Sequence, residues 1–86
     1  MYSLEIKPDL DNLLHKLEKK SPKQFQIIFK KVEQILKNPL HFKPLKGDLH
    51  GSRRVHIDKS FVLIYEINQE KGIITLLDYQ HHDNIY

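Results

Sequence analysis

The spacing of apolar residues changes halfway along the chain and predicts the order of its elements. Residues 3–6 alternate polar and apolar, which is typical of a short strand. After Pro8, leucines recur at helical spacing, at Leu10, Leu13, Leu14 and Leu17. This spacing predicts a helix with one apolar stripe, ending at the Lys-Lys-Ser that follows it.

The next stretch predicts a second helix with a marked start and stop. Ser21 suits the N-cap, Pro22 the first helical position, and Gln24 would complete a capping box. The apolar stripe of this helix consists of Phe25, Ile28, Phe29, Val32, Ile35 and Leu36. Asn38-Pro39 ends it, because proline cannot continue the backbone ladder. Two amphipathic helices joined by a tight link predict an antiparallel hairpin.

Three strands are predicted in the second half of the chain. Val55 and Ile57 alternate with polar neighbours, FVLIYEI is dense enough in apolar residues to be a central strand, and IITLLDY is the last strand. Turns are expected at residues 58–60 and before Gly72, which can adopt positive φ. We therefore predict a single α+β domain over residues 1–86, with the order β-α-α-β-β-β and the helical hairpin packed on a small antiparallel sheet.

Composition narrows the class of protein. The 86 residues carry a formal net charge of +3 and no cysteine, and the pI is about 9.2. The longest apolar run, FVLIY, is far too short to cross a bilayer. We expect a cytoplasmic, soluble protein without a membrane segment. A basic domain of this kind favours a polyanionic or acidic partner.

One face of the predicted sheet gathers groups that could cleave RNA. If Val55 and Ile57 face the helices, Arg54 and His56 point to the uncovered face. The C-terminal HHDNIY follows the last strand and could return to that face. Attack of a 2′-hydroxyl on the adjacent phosphate needs a base, an acid and a cation, and two histidines with an arginine supply them without a metal.

Plainer interpretations of the same residues remain open. His56 could be an exposed strand residue without a role, and Tyr86 could be a packing residue. His81 and His82 could bind a metal, but adjacent strand residues diverge, and no cysteine or close carboxylate cluster completes a tetrahedral site. Either of these two histidines could point to the uncovered face.

The motif in the second half resembles that of a known toxin group. The stretch PLKGDLHGSRRVHIDKSFVLIYEI, followed by HHDNIY, is similar to the RelE/ParE toxin superfamily and, within it, to the YafQ-like branch. The most specific part is L-x-G-x-x-x-G-x-R-x-x-H from Leu45 to His56. The LIY strand and a histidine four residues before a terminal aromatic, His82 and Tyr86, complete it.

The resemblance implies a type II toxin that cuts mRNA in the ribosomal A site without a metal or other cofactor. His56 and His82 would transfer protons, Arg54 would stabilise the phosphate, and Tyr86 would position the RNA. The further RNA-binding residues would be Lys43, Lys46, Arg53 and Lys59, with a structural role also open for Arg53. The implied partners are a RelB- or DinJ-like antitoxin in a heterotetramer, the ribosome with its mRNA, and operator DNA through the antitoxin, with no membrane.

The chain departs from the family pattern at three positions. Lys43 replaces a loop histidine of the YafQ-like branch, Ser60 replaces an aspartate in the turn, and Val62 replaces an arginine of RelE itself. Two alternatives therefore accompany the nuclease prediction. One is a ParE-type toxin that inhibits gyrase, and the other is a catalytically weak toxin that acts with its antitoxin as a transcriptional co-repressor.

Overall fold

A computed structural model describes residues 2–42 and 52–81. The elements follow the predicted order, and their bounds are β1 Ser3–Ile6, α1 Pro8–Lys20, α2 Pro22–Lys37, β2 Ser52–Ile57, β3 Phe61–Asn68 and β4 Ile73–His81. The α+β class and the helical hairpin on a small sheet are thereby confirmed. Neither helix is long and apolar enough, among these residues, to span a bilayer.

The four strands form one sheet in the order β1-β4-β3-β2. β2, β3 and β4 make the predicted antiparallel meander, with β3 inside it. β1 pairs with residues 73–76 of β4 in parallel, so the sheet is mixed rather than purely antiparallel. A parallel pair needs a long crossover connection, and the two helices are part of the one that joins β1 to β4.

The core lies between the helices and one face of the sheet. Leu10, Leu14, Ile28, Val32 and Ile35 from the helices pack against Val55, Ile57, Leu63, Tyr65, Ile74 and Leu76 from the strands. Val62 and Ile64 of β3 point to the opposite sheet face and are buried as well. The central strand is thus buried on both faces between residues 62 and 65, as its continuous apolar run predicts.

Two turns hold the meander in register. Asp58 opens the three-residue turn between β2 and β3 with φ of 56°, a left-handed conformation that aspartate tolerates better than most residues. Before β4, Gly72 has φ of 68°, and the Asn68 carboxamide oxygen accepts a hydrogen bond from the Lys71 backbone N–H at 3.0 Å. Both turns fall where the sequence predicts them.

Two local predictions about the helices are wrong. Ser21 is the N-cap residue of α2, but its side chain makes no capping hydrogen bond, and Gln24 instead donates to the Tyr79 hydroxyl at 2.7 Å. Leu13 belongs by spacing to the stripe of α1, yet it is 43% exposed. Leu13 instead lines surface hollows beside Leu77 and Tyr79.

Candidate active site

The candidate site is on the sheet face turned away from the helices, which we call the outer face. Strand pairing assigns its members in rows, since directly paired residues share a face. One row consists of Arg54, Ile64 and Asp78, and the next consists of His56, Val62 and Gln80. Adjacent strands are about 4.8 Å apart, so each row spans about 10 Å.

β2 presents Arg54 and His56 on the outer face, as predicted. The strand alternates, with Val55 and Ile57 buried in the core, His56 exposed and Arg54 partly buried. Because β2 is an edge strand of the sheet, both side chains lie at that edge. With an imidazole and a guanidinium two residues apart, one site can both transfer a proton and neutralise the charge of a phosphate.

Arg53 lies on the other face of β2 and does not join them. It pairs across the strands with Tyr65, and its Nη1 donates to the Phe42 carbonyl at 2.6 Å. The Tyr65 hydroxyl donates to the Pro39 carbonyl at 2.7 Å, and its ring meets Phe42 edge-on at 6.5 Å. Arg53 therefore fastens the segment after α2 to the sheet. Its predicted RNA contact remains untested.

Burial changes the acid–base behaviour of two tyrosines beneath the site. Desolvation raises the pKa of Tyr65 to about 12, and the nearby Arg53 charge opposes this rise. Desolvation also raises the pKa of Tyr79, while its hydrogen bond with Gln24 acts in the opposite direction. Both phenols therefore stay neutral at physiological pH; the Tyr65 hydroxyl donates to the Pro39 carbonyl, and the Tyr79 hydroxyl accepts from Gln24.

Of the two adjacent C-terminal histidines, His81 can be assigned to one face of the sheet. His81 is the last residue of β4 and pairs with Phe61, whose ring it meets edge-on at 5.5 Å. Phe61 also stacks on Tyr79 at 5.1 Å, and both rings pack against the core. His81 thus shares the helix-covered face, so it is not a neighbour of His56.

Several predicted site residues lie outside the described part of the chain. They are Lys43, Lys46, His82 and Tyr86. Lys59 lies in the turn between β2 and β3 and is exposed, at the end of the strand that carries His56. Within residues 2–42 and 52–81 there is no group of three or more His, Cys, Asp or Glu side chains that could hold a metal ion.

Two outer-face residues were missed by the sequence analysis. Asp78 and Gln80 of β4 lie in the rows of Arg54 and His56, and the Gln80 carboxamide donates to the Asp78 carboxylate. Asp78 also accepts from the Tyr79 backbone N–H at 2.9 Å. Their spacing of two residues on a strand was a usable signal, but it becomes meaningful only once the register with β3 is known.

Comparison with known proteins agrees with this architecture. The family model of the ParE toxin of type II toxin–antitoxin systems, parDE, matches residues 1–86. A Methanocaldococcus jannaschii protein that bears the toxin name RelE4 is 46% identical over 86 residues, covering 100% of this chain and 92% of the relative.

Solved toxin structures share the fold. A metal-bound toxin from Helicobacter pylori superposes with a TM-score of 0.79 at 25% identity, with 100% of both chains covered. The E. coli DinJ–YafQ complex contains a chain with a TM-score of 0.76 at 17% identity, covering 100% of this chain and 99% of that one. The chain therefore belongs to the ParE toxin family of type II toxin–antitoxin systems, within the RelE/ParE superfamily.

Proposed function

We propose that this toxin is a ribosome-dependent endoribonuclease that cuts mRNA in the A site and so inhibits translation. The observation that carries the proposal is that Arg54 and His56 both lie on the outer face of the edge strand β2. The basic net charge of +3 favours a polyanionic substrate. The 46% identity to a protein with a RelE name supports the RelE type of activity.

The chemistry needs one proton acceptor, one proton donor and one cation. A histidine removes the 2′-hydroxyl proton while that oxygen attacks the adjacent phosphorus. The bond from phosphorus to the 5′-oxygen then breaks, and a second histidine protonates the leaving oxygen. The products are a 2′,3′-cyclic phosphate and a 5′-hydroxyl. Arg54 would stabilise the extra negative charge on the phosphorane.

The second histidine in this proposal is His82, with Tyr86 stacking on a base. Both lie outside the described residues. Support comes from the end of β4, because Gln80 occupies the same row as His56. The chain beyond His81 therefore begins within two strand spacings of His56. The other proposed contacts to the RNA backbone are Lys43, Lys46, Arg53 and Lys59.

Cleavage of message on programmed ribosomes tests the proposal. We compare the wild type with His56→Ala, His82→Ala and a deletion of Tyr86, and use His15→Ala as the control. His15 is exposed on α1, where its Nδ1 lies 2.8 Å from the Asp11 carbonyl oxygen. Loss of cleavage in the three site variants but not in the control is the expected result. Full cleavage by both histidine variants would refute the mechanism.

Inhibition of DNA gyrase is the second candidate, and the ParE family model favours it. A gyrase inhibitor has no need of the His56 imidazole. DNA cleavage complexes in exposed cells, with message intact, would establish this activity in place of the nuclease. A chain that does neither but binds operator DNA together with its antitoxin would instead be a co-repressor.

The proposed partner is a cognate antitoxin that neutralises the toxin, in a heterotetramer that binds operator DNA. Its docking surface would be the α1 groove, which we define as the two hollows that meet at the exposed Leu13. One hollow, of about 560 Å³, is lined by Leu77 and Lys7 and also by Asp9 and Asp78. The other, of about 280 Å³, includes Lys16 and Lys20. In the second hollow, the apolar side chains of Leu17, Phe61 and Tyr79 lie beside these two lysines, an arrangement that suits an acidic amphipathic helix.

A further inference from the structure

A β-bulge in β4 turns the polar end of that strand to the outer face. Ile64 of β3 pairs with Asp78. The next residue of β3, Tyr65, pairs with Leu76, so Leu77 is an extra residue in β4. Before the bulge the even-numbered residues of β4 pack in the core, and after it the odd-numbered residues face the helices. Without this extra residue, Asp78 would follow Leu76 into the core.

The bulge brings two polar side chains into the rows of the candidate site. Asp78 lies in the row of Arg54, and Gln80 lies in the row of His56, with one residue of β3 between the members of each pair. Asp78 and Gln80 are both partly exposed, so a ligand on the outer face can reach them. Bulges are frequent beside functional sites, where they redirect a side chain.

The Asp78 carboxylate fixes the orientation of the Gln80 carboxamide. A carboxylate accepts hydrogen bonds and cannot donate them, so the carboxamide turns its NH₂ group toward Asp78. The carbonyl oxygen of Gln80 therefore points away from Asp78. The other carboxylate oxygen accepts from the Tyr79 backbone N–H at 2.9 Å, which holds the carboxylate against its own strand. The result is an oriented hydrogen-bond acceptor in the row of His56.

An acceptor oriented in this way suits a ligand group that donates. The donors of an RNA nucleotide are the ribose 2′-hydroxyl and the N–H groups of the base, whereas phosphate oxygens accept. Gln80 therefore suits the sugar or the base of a nucleotide. In the proposed reaction, His82 protonates the 5′-oxygen of the nucleotide that follows the cut, and Gln80 precedes His82 by two residues in the sequence. That nucleotide is the one expected beside Gln80.

We infer that Gln80 accepts a hydrogen bond from the sugar or base of the nucleotide that follows the cut, and that Asp78 is the positioning residue that orients the Gln80 carboxamide. This inference rests on the proposed nuclease function. Gln80 binds the substrate and takes no part in proton transfer. Asp78 also lines the first hollow of the α1 groove, so the experiments use the toxin without its antitoxin.

The first experiment measures binding without cleavage. The probe is a short RNA whose nucleotide before the cut is 2′-deoxy, so the attacking hydroxyl is missing and the next nucleotide is intact. It is made with each of the four bases after the cut, and the base that binds best is kept. Two further probes lack either the 2′-hydroxyl or the N–H donors of that base. One of them should bind about fivefold more weakly, the scale of one hydrogen bond, and it identifies the donor as sugar or base.

Gln80→Met keeps the length of the side chain and removes the acceptor. This variant should bind the complete probe about fivefold more weakly than the wild type does. It should also no longer distinguish the complete probe from the probe that lacks the donor. Gln26→Met, at an exposed glutamine of α2, is the matched control and should behave like the wild type. If Gln80→Met discriminates as the wild type does, or if the wild type binds no probe, the inference is wrong.

Asp78→Asn tests the positioning role. Asparagine donates as well as accepts, so the Gln80 carboxamide is no longer held in one orientation. The variant should lose most of the discrimination between the two probes, and this ratio of affinities cancels the general effect of removing a negative charge. Glu70→Gln, which removes an exposed carboxylate in the turn after β3, is the control. Discrimination equal to that of the wild type would show that Asp78 does not orient Gln80.

Single-turnover cleavage on programmed ribosomes separates this inference from the nuclease proposal. Message that lacks the identified donor should be cleaved more slowly by the wild type, and Gln80→Met should remove this difference. If the wild type cleaves nothing but Gln80→Met loses discrimination in binding, the Gln80 contact stands and the nuclease proposal falls. If the wild type cleaves and Gln80→Met responds to the missing donor as the wild type does, the nuclease proposal stands and this inference falls.

Discussion

Arg53 and Tyr65 face each other across β2 and β3, and both bond carbonyls of the segment that follows α2. This pair ties the segment after α2 to the edge of the sheet. It also explains why two consecutive arginines on β2 have different surroundings. Arg53 belongs to the helix-covered face, while Arg54 belongs to the outer face.

Tyr65→Phe should lower the free energy of unfolding by about 1 kcal/mol, because the hydroxyl would no longer bond the Pro39 carbonyl. It should also change the response to alkaline pH. The pKa of Tyr65 is raised to about 12, so the unfolded chain releases this proton first, near pH 10. The wild type should lose roughly 2–3 kcal/mol between about pH 10 and 12 through this group. Denaturant unfolding at several pH values measures the difference between the wild type and the variant.

Arg53→Met should mainly lower the stability of the protein, whereas Arg54→Gln should mainly slow cleavage. The first removes the bond to the Phe42 carbonyl and should cost about 1–3 kcal/mol of stability. The second removes the proposed phosphate ligand and should slow cleavage at least about 100-fold, as loss of a charge-stabilising donor does in other enzymes. Thermal unfolding and ribosome cleavage are measured on both proteins. Equal loss of cleavage with equal stability in the two variants would contradict the separate roles.

Gln24 and Tyr79 should be energetically coupled across 55 residues of sequence, because the carboxamide donates to the phenol oxygen. A double-mutant cycle with Gln24→Leu and Tyr79→Phe should give a coupling of about 0.5–1.5 kcal/mol. A cycle that pairs Gln26→Leu with Tyr79→Phe is the control, since Gln26 is exposed on the same helix. Additive effects in the Gln24 cycle would mean that the bond contributes nothing to stability.

Leu13→Asp should weaken antitoxin binding at least tenfold and leave the stability of the toxin nearly unchanged, because Leu13 is 43% exposed in the α1 groove. Leu14→Ala provides the contrast. Leu14 is only 2% exposed in the core, and its truncation should cost about 2–5 kcal/mol. Titration calorimetry with the antitoxin and chemical unfolding measure the two effects. Unaltered binding by Leu13→Asp would exclude the groove as the docking surface.

The sequence predicts the elements of this protein better than their contacts. The leucine spacing of α1 and the alternation of β2 are local, and they correctly give a helix and a strand that exposes His56. Local spacing could not show that Leu13 would be exposed or that Gln24 would bond Tyr79 instead of capping its helix. Both outcomes depend on which strand lies beneath which helix turn.

The site follows the same division. Arg54 and His56 are two residues apart, so strand alternation alone places them together. His41 comes close to them because Arg53 and Tyr65 bind the segment after α2, and Lys31 does so because α2 contacts β2. The sequence could not show which face of the sheet His81 occupies, since that depends on the register of β4 against Phe61.

The parallel pairing of β1 with β4 determines when the sheet can be completed during synthesis of the chain. Ser3 pairs with Ile73, so β1 can find its place in the sheet only after β4 has left the ribosome. Contacts so distant in sequence require a costly loop closure and slow folding. A chain synthesised only as far as β3 therefore lacks the strand that lies between β1 and β3, and its sheet is incomplete until β4 is available.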